Sequence, residues 1–221
     1  MQVAIDGPAG AGKSTIAKRL AGESGYIYVD TGAMYRAMAL YLIRCEISPD
    51  DKSGIEEACE KADISIEYAD GEQQVILNGE NVNGLIRTQE VSNMASVSSA
   101  NPKVREKLVA LQQKLAESAD VVMDGRDIGT KVLPGAEVKI YLTASTRVRA
   151  KRRYDEMTAK GETCDLDTIE KEIAERDERD MNREISPLKQ AEDAVPVDTS
   201  DMGIDEVVEA IKGIISDKTG K

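Results

Sequence analysis

The sequence predicts an α/β fold with a five-stranded parallel sheet flanked by helices. Short apolar runs recur along the 221 residues, and helical patterns lie between them. Four of these runs are followed by an aspartate, and polar residues at the carboxyl ends of parallel strands usually line a ligand crevice. A glycine-rich segment follows the first run and precedes the first helical pattern.

The predicted strands are the apolar runs Val3–Ile5, Tyr26–Val29, Val121–Met123, Val138–Leu142 and Val195–Val197. Runs of this kind are typical of strands buried on both faces of a sheet. The aspartates that follow them are Asp6, Asp30, Asp124 and Asp198. The last helix is predicted from an apolar stripe at helical spacing, formed by Ile204, Val207, Val208, Ile211, Ile214 and Ile215.

Residues 64–87 interrupt this rhythm because apolar and polar residues alternate there. The pairs Asp70–Gly71 and Asn78–Gly79 are hairpin turn signals. We therefore expect a small antiparallel sheet of two or three strands inserted into the α/β core. Such an insert is either decoration or part of a substrate-binding flap.

Composition excludes several classes of protein. A net charge of −12 argues against broad binding of nucleic acid or of an anionic membrane surface. Three widely spaced cysteines suggest neither a zinc site nor a disulfide framework. Histidine is absent, so any chemistry proceeds without a histidine base or metal ligand. No signal peptide or long apolar span is evident, and we expect a cytoplasmic monomer.

Residues 7–14, GPAGAGKS, match the pattern G-x-x-x-x-G-K-[ST] between a strand and a helix. Glycines let backbone N–H groups surround phosphate oxygens, and the helix N-terminus adds partial positive charge. The motif predicts a P-loop NTPase-type fold that binds ATP or GTP with Mg²⁺, in which Lys13 reaches the β- and γ-phosphates and Ser14 holds the metal. The predicted ATP-binding residues here are Gly7, Pro8, Ala9, Gly10, Ala11, Gly12, Lys13, Ser14 and Thr15.

Transfer of the γ-phosphate to a small acceptor fits a chain of this size best. A guanine-reading switch would need an N/T-K-x-D motif, which the sequence lacks. Several arginines are available to hold phosphate oxygens in pairs of hydrogen bonds. They are Arg36, Arg126, Arg149, Arg152, Arg153, Arg176, Arg179 and Arg183.

The segment 175–184, ERDERDMNRE, could form either a solvated helix covered in salt bridges or a surface that binds an anion. On a continuous helix Arg176, Arg179 and Arg183 fall within an arc of about 60°. Asp180 shares that sector, whereas Asp177 points elsewhere. Like charges on one strip repel unless something negative lies opposite, which favours an anionic substrate.

A phosphate acceptor also explains the missing histidine. A phosphate monoester has its second pKa near 6, so it is already a nucleophile at neutral pH. An alcohol acceptor would more plausibly need a carboxylate base, for which Asp30 or Asp127 could serve. The residues favour a phosphate acceptor and leave the alcohol open.

Taken in order, IDGPAGAGKST, DTGAMYR, LNGENVNGLIRTQEVS, NPKVRE, DGRDIGT, VKIYLTAS, RAKRR and ERDERDMNRE closely resemble the bacterial cytidylate kinases. The resemblance spans nearly the whole chain. It implies transfer of the ATP γ-phosphate to CMP or dCMP. It also implies a single kinase domain, with a core at 1–30, 96–150 and 187–221, an acceptor-binding region at 31–95 and a helical lid at 151–186.

The resemblance assigns roles residue by residue. It implies that Thr31, Arg36 and Arg126 lie around the acceptor, with the arginines near its phosphate. It places Arg176 and Asp180 at the acceptor sugar and phosphate. It places Arg149 and Arg153 near ATP, and Ser96, Arg105, Asp127 and Arg183 around the base. The catalytic set is then Lys13, Arg126, Arg176 and Arg183.

The base assignment makes chemical sense. Cytosine presents an amino donor at N4 and acceptors at N3 and O2. Asp127 and Ser96 can accept from the amino group, and Arg105 and Arg183 can donate to the acceptors. Uracil would place an oxygen against the carboxylate, a mismatch of several kcal/mol if buried. Alternatives are a related kinase acting on UMP, AMP or shikimate, or a nucleotide-dependent switch.

Overall fold

The structure is a computed structural model that describes residues 1–69 and 71–220. Its strands are β1 (Gln2–Asp6), β2 (Ile27–Asp30), β3 (Ile64–Ala69), β4 (Glu72–Leu77), β5 (Glu80–Asn81), β6 (Val121–Gly125), β7 (Val138–Thr143) and β8 (Val195–Asp198). Its helices are α1 (Lys13–Ser24), α2 (Thr31–Arg44), α3 (Lys52–Lys61), α4 (Gln89–Ser98), α5 (Pro102–Ser118), α6 (Thr146–Ala159), α7 (Leu166–Asn182) and α8 (Ile204–Thr219).

The five predicted strands form one sheet in the order β2-β6-β1-β7-β8. Strand β1 pairs in parallel with β6 and with β7, and β7 pairs in parallel with β8. Because crossover helices cover both faces of such a sheet, most residues of its central strands are buried and apolar. The predicted α/β fold and its five strands are confirmed.

The inserted sheet is also confirmed, in the order β3-β4-β5 and antiparallel throughout. Asn78 and Gly79 both have positive φ, 50° and 82°, as expected of the two-residue turn that joins β4 to β5. The turn predicted at Asp70–Gly71 includes Asp70, which lies outside the described residues.

The chain divides into two compact units. The first contains residues 1–28 and 120–221, and the second contains residues 29–119. The core of the first unit lies between its strands and helices α1 and α8, with Val3, Ile5, Leu20, Val122, Ile140, Leu142, Val208 and Ile211 buried. The predicted stripe of α8 is correct except at Ile204, which is half exposed because it is the first helical residue.

Helices α6 and α7 pack against each other as a pair within the first unit. Their contact is a small apolar cluster formed by Ala150, Ile169 and Ile173, with Tyr154, Met157, Cys164 and Leu166 around it. Across residues 1–69 and 71–220, no helix is both long enough and apolar enough to cross a membrane.

The second unit packs α2 against α3, α4, α5 and the inserted sheet. Its buried apolar side chains include Met34, Met38, Leu42, Ile55, Leu77, Ile86 and Leu108. Gln112 of α5 shares this interior and is 0% exposed. Neither polar atom of its side-chain amide has a hydrogen-bond partner among the described residues.

We expect Gln112→Leu to stabilise the protein. Burying an amide without hydrogen bonds costs about 1–3 kcal/mol, and leucine has a similar volume without polar atoms. The free energy of unfolding from urea denaturation should therefore rise by about 1 kcal/mol or more. Gln113→Leu is the matched control, because Gln113 is exposed and its substitution should change stability by less than about 0.5 kcal/mol. Equal effects of the two substitutions would contradict a penalty at Gln112.

Candidate active site

The segment GPAGAGKS forms a closed loop between β1 and α1. Gly7, Gly10 and Gly12 have φ values of 149°, 76° and 86°, a region that favours glycine. A Cβ on Gly7 would lie 1.9 Å from the carbonyl oxygen of Leu142 on β7, so no side chain fits there. Lys13 is buried at the start of α1, and its Nζ donates to the carbonyl of Pro8 at 2.8 Å. The lysine side chain is therefore held against the backbone of the loop.

Asp124, which directly follows the apolar run Val121–Met123 in β6, lies beside the loop. Its Oδ2 accepts from the Ser14 hydroxyl at 2.9 Å, and its Oδ1 accepts from the Tyr28 hydroxyl at 2.9 Å. A hydroxyl and a carboxylate oxygen at this distance are the ligand types that Mg²⁺ takes in P-loop enzymes. Sequence reasoning noted that an acid ends this strand but did not assign Asp124 to the site.

The surroundings of Lys13 destabilise its charged form. Burial, the neighbouring Arg126 guanidinium and, to a smaller extent, that of Arg176 together lower the pKa of Lys13 to about 7. The carboxylates of Asp124 and Asp6 oppose this shift without cancelling it. A site that concentrates positive charge in a dry environment is prepared for a negatively charged ligand.

Asp6, at the end of β1, fixes the segment after β6. Its two carboxylate oxygens accept from the backbone N–H groups of Ile128 and Gly129, each at 2.7 Å. Burial, with a smaller contribution from the nearby Asp127 carboxylate, nevertheless raises the pKa of Asp6 to about 6. Both oxygens of this carboxylate therefore hold the backbone of the segment after β6 in place.

The segment held by Asp6 carries two of the predicted substrate-binding residues. Arg126 Nε donates to Asp180 Oδ2 at 3.0 Å. Arg183 Nη2 lies 3.9 Å from Asp127 Oδ1, and Arg183 Nε donates to the carbonyl of Ser186. The structure therefore brings Arg126, Asp127, Asp180 and Arg183 into two adjacent ion pairs.

The predicted arginine strip of the segment 175–184 is wrong in two respects. Helix α7 ends one residue before Arg183, which has an extended backbone, so Arg183 does not continue the helical face. Arg179 is exposed, whereas Asp177, predicted to point elsewhere, is buried. Arg176 and Asp180 do lie on the inner side of the helix, half-buried and buried respectively.

Asp177 is buried because it pairs with Arg149 of α6. Arg149 Nη2 donates to Asp177 Oδ2 at 2.6 Å, and its Nη1 donates to the carbonyl of Ala9 in the phosphate loop at 3.0 Å. Arg149 therefore connects α6 and α7 to the loop. Arg153, the second arginine predicted near ATP, lies 3.6 Å from Glu172. Sequence reasoning missed Asp177, since nothing local distinguishes it from its exposed acidic neighbours.

The second unit holds the remaining predicted acceptor residues. Thr31 is buried at the first position of α2, directly after the cap residue Asp30. Arg36 follows on the same helix, and its Nη1 lies 4.0 Å from Asp30 Oδ1. The other oxygen of Asp30 lies 3.3 Å from Arg87 Nη2. One carboxylate thus holds two guanidiniums beside the start of α2.

Two further predicted base-binding residues lie on neighbouring helices of this unit. Arg105 of α5 is buried, donates to the carbonyl of Ser99 at 3.4 Å and lies 5.7 Å from the centre of the Tyr35 ring. Ser96 of α4 is half-buried. Thr31, Arg36, Ser96 and Arg105 therefore belong to the second unit, and the remaining predicted site residues belong to the first.

A parallel sheet with a phosphate loop after its first strand, a lysine within that loop and a Ser–Asp pair beside it defines a P-loop phosphotransferase. The chain belongs to the cytidylate kinase family, because the family model of that description matches residues 3–217. A cytidylate kinase from Ligilactobacillus salivarius (strain UCC118) is 52% identical over 218 residues, which cover 99% of this chain and 97% of the relative. One from Geobacillus sp. (strain WCH70) is 48% identical over 220 residues, with 100% and 98% covered.

Solved structures support the fold. A gluconokinase from Sinorhizobium meliloti 1021 matches with a TM-score of 0.52 at 16% sequence identity, over 99% of this chain and 94% of that one. An uncharacterised protein from Eubacterium ventriosum ATCC 27560 also gives a TM-score of 0.52, at 14% identity and 98% coverage of both chains. At these identities the likeness concerns the fold alone.

We expect Gly7→Ala to be far more damaging than Gly12→Ala. Both glycines have positive φ, which costs an alanine about 1–2 kcal/mol. A Cβ at Gly12 meets nothing within 4 Å, whereas one at Gly7 overlaps a strand carbonyl that cannot move without breaking the sheet. Urea denaturation should show a loss of about 1 kcal/mol for Gly12→Ala and of several kcal/mol for Gly7→Ala. Similar losses in the two variants would show that the loop is looser than its geometry indicates.

Proposed function

We propose that this protein transfers the γ-phosphate of ATP to CMP or dCMP, giving ADP with CDP or dCDP. The observation that carries the proposal is the family match over residues 3–217, which coincides with a complete phosphate loop. The charges of the site support it, because two anionic nucleotides can approach each other only where positive charge offsets their repulsion. The protein would thus serve pyrimidine nucleotide metabolism.

In this proposal, Lys13 and the arginines of the first unit stabilise the negative charge of the phosphates. Lys13 reaches the β- and γ-phosphates from within the loop. Arg126 and Arg176, whose charges already act on Lys13, stabilise the equatorial oxygens of the phosphoryl group in transit. Arg183 contributes from the end of α7. The acceptor phosphate is already anionic, so no residue needs to take a proton from it.

Ser14 and Asp124 would hold Mg²⁺. The two side chains fit this role because both present oxygen atoms beside the phosphate loop, 2.9 Å apart. The cation, when bound, neutralises phosphate charge. Tyr28 orients the second oxygen of Asp124 and so fixes the direction in which the carboxylate faces.

Recognition of the acceptor is assigned to nine residues. We place Arg36 and Arg126 at the acceptor phosphate, Thr31 around the acceptor, and Arg176 and Asp180 at its sugar and phosphate. Ser96, Arg105, Asp127 and Arg183 would surround the cytosine ring. The Arg183–Asp127 pair supports this arrangement, because it sets a donor beside an acceptor as the base edge of cytosine requires.

The remaining assignments stay proposals. Arg149 and Arg153 are assigned to the ATP side, and the contact of Arg149 with the loop carbonyl of Ala9 supports that side. We retain an acceptor-binding region at 31–95 and a lid at 151–186. A monomer in the cytoplasm, acting on small nucleotides without nucleic acid or membrane partners, also remains a prediction.

The proposal is tested with an acceptor panel in a coupled assay of ADP release. We expect CMP and dCMP to be phosphorylated and UMP to be at least about 100-fold poorer in kcat/KM, since uracil lacks the amino donor. AMP and shikimate should give no more than background. Robust activity with UMP, AMP or shikimate in place of CMP would refute the assignment.

The same assay tests the arginine assignment with a matched pair on one helix. Arg176→Ala should lower kcat with CMP by about 100-fold or more, because it removes charge that acts on the transferred group. Arg179→Ala should retain activity, since Arg179 is exposed and its Nε only donates to a carbonyl of its own helix. Circular dichroism checks that both variants fold. Equal losses in both variants would point to the helix and not to the site.

The pKa of Lys13 gives a pH dependence to ATP binding. In the nucleotide-free protein this pKa is lowered to about 7, so Lys13 is mostly neutral above that pH. Bound phosphates favour the charged form, so binding above pH 7 takes up a proton. The Kd for ATP should then weaken by up to about tenfold per pH unit above about pH 7.5.

Isothermal titration calorimetry in buffers of different ionisation enthalpy measures this proton uptake. We expect nearly one proton per ATP near pH 8.5, where Asp6, with a pKa of about 6, and the nucleotide phosphates are already ionised. Lys13→Arg is the control, because arginine stays charged and should remove the pH slope. An affinity that does not change between about pH 7.5 and 8.5 would exclude the mechanism.

A further inference from the structure

The inserted sheet makes a specific polar contact with Asp30, the cap residue at the start of α2. Gln73 of β4 uses its side-chain amide as a two-ended clamp on a single residue, Asp30. Its Oε1 accepts from the Asp30 N–H at 2.8 Å, and its Nε2 donates to the Asp30 carbonyl at 3.2 Å. Asp30 ends β2, an edge strand of the five-stranded sheet. The glutamine amide therefore supplies the pairing that a neighbouring strand would have given this residue.

Gln73 is itself held firmly. It lies within the β3–β4 hairpin opposite Tyr68. Its carbonyl accepts from Asn83 Nδ2 at 2.7 Å, and Asn83 Oδ1 accepts from the N–H of Val75 at 2.9 Å. The side chain that reaches Asp30 thus extends from a strand whose backbone is fixed on both sides.

Asp30 passes this constraint to the residues around it. Its Oδ1 caps α2 by accepting from the Ala33 N–H at 2.9 Å, and its two oxygens face Arg36 and Arg87. The space between these groups is tight, since a Cβ on Gly32 would lie 3.2 Å from Asp30 Oδ1 and 3.3 Å from Arg36 Nη1. A shift of the Asp30 backbone would therefore move the carboxylate and the guanidinium of Arg36 with it.

We propose that Gln73 is a positioning residue for the acceptor, and that the inserted sheet acts through it to set the first turn of α2. Gln73 need not touch the substrate. It fixes the peptide of Asp30, which places the Arg36 guanidinium where two parallel hydrogen bonds to a phosphate are possible. This inference rests on the proposed function, because Arg36 is there assigned to the acceptor phosphate. It makes the insert part of substrate positioning and not decoration.

Such a role predicts a selective kinetic defect. A guanidinium displaced by about 1 Å loses much of its bidentate contact, and misplacements of that size lower rates by up to about 100-fold. ATP contacts the phosphate loop of the first unit, and Gln73 has no contact with that loop among the hydrogen bonds of the described residues. The defect should therefore appear with CMP and not with ATP.

The test compares Gln73→Ala with Gln74→Ala. Gln74 is the same residue type at the next position of β4, so its side chain points to the opposite face, where it accepts from Asn81 and Asn83 within the insert. We expect Gln73→Ala to raise the KM for CMP at saturating ATP by about tenfold or more. The KM for ATP at saturating CMP should stay within about twofold of wild type, and Gln74→Ala should match wild type for both substrates.

Gln73→Asn is a second variant that keeps the amide but shortens the side chain by one methylene, so that it cannot reach both groups of Asp30. It should behave like Gln73→Ala. The positioning role is overturned if the KM for CMP is unchanged in both Gln73 variants. It is also overturned if Gln74→Ala raises that KM equally, because the effect would then reflect only the stability of the insert.

Amide hydrogen exchange separates this inference from the proposed function. Loss of the clamp should speed exchange at the Asp30 and Ala33 amides in Gln73→Ala relative to Gln74→Ala, whatever the enzyme phosphorylates. If exchange is faster in Gln73→Ala but the wild-type protein does not phosphorylate CMP, the clamp is supported and the proposed substrate is refuted. Unchanged exchange in an active CMP kinase would refute the clamp.

Discussion

The candidate site depends on buried positive charge inside a chain of net charge −12. Lys13 is buried beside Arg126, and the guanidinium lowers the pKa of the lysine. Several cations cannot share a dry space unless carboxylates stand among them. Asp6 and Asp124 act on Lys13, Asp180 on Arg126 and Asp177 on Arg149. The acidic composition is in this respect a requirement of a basic site, and not evidence against one.

Pairing with carboxylates also orients the arginines before any substrate arrives. A lone guanidinium at a surface samples many rotamers, and ordering it on binding costs free energy. Arg126 and Arg149 have already lost that freedom, because each donates to an aspartate of α7. An incoming phosphate must compete with these carboxylates for the guanidinium groups, which lowers the affinity for the phosphate. The guanidinium donors are, however, already oriented. That exchange favours stabilisation of the transferred group over tight binding of the ground state.

Local sequence patterns predicted the fold well. The five strands, the inserted hairpin, the last helix and the phosphate loop follow from apolar periodicity, from turn residues and from a motif whose glycines have positive φ values. The errors arose where tertiary contacts decide. Arg183 leaves the helical face because α7 ends before it, and Asp177 is buried because Arg149 reaches it from another helix. The end of α7 has a weak local signal in Pro187, which lies a few residues beyond it, whereas the burial of Asp177 has no signal in the neighbouring sequence.

The four aspartates that end strands show that a sequence pattern can locate a residue without giving its role. All four occupy the edge where ligands bind in such sheets, yet their partners differ. Asp6 accepts from the backbone at Ile128 and Gly129, and Asp198 accepts from the Ser200 N–H. Asp30 caps α2, whereas only Asp124 in this group binds the hydroxyl of the phosphate loop. Loops that begin at strand ends leave N–H groups that need acceptors, so an acid at such a position is as readily a support for the backbone as a contact for a ligand. The end of a strand favours an acidic residue. Whether that residue supports the backbone or contacts a ligand depends on the groups that surround it in the folded protein.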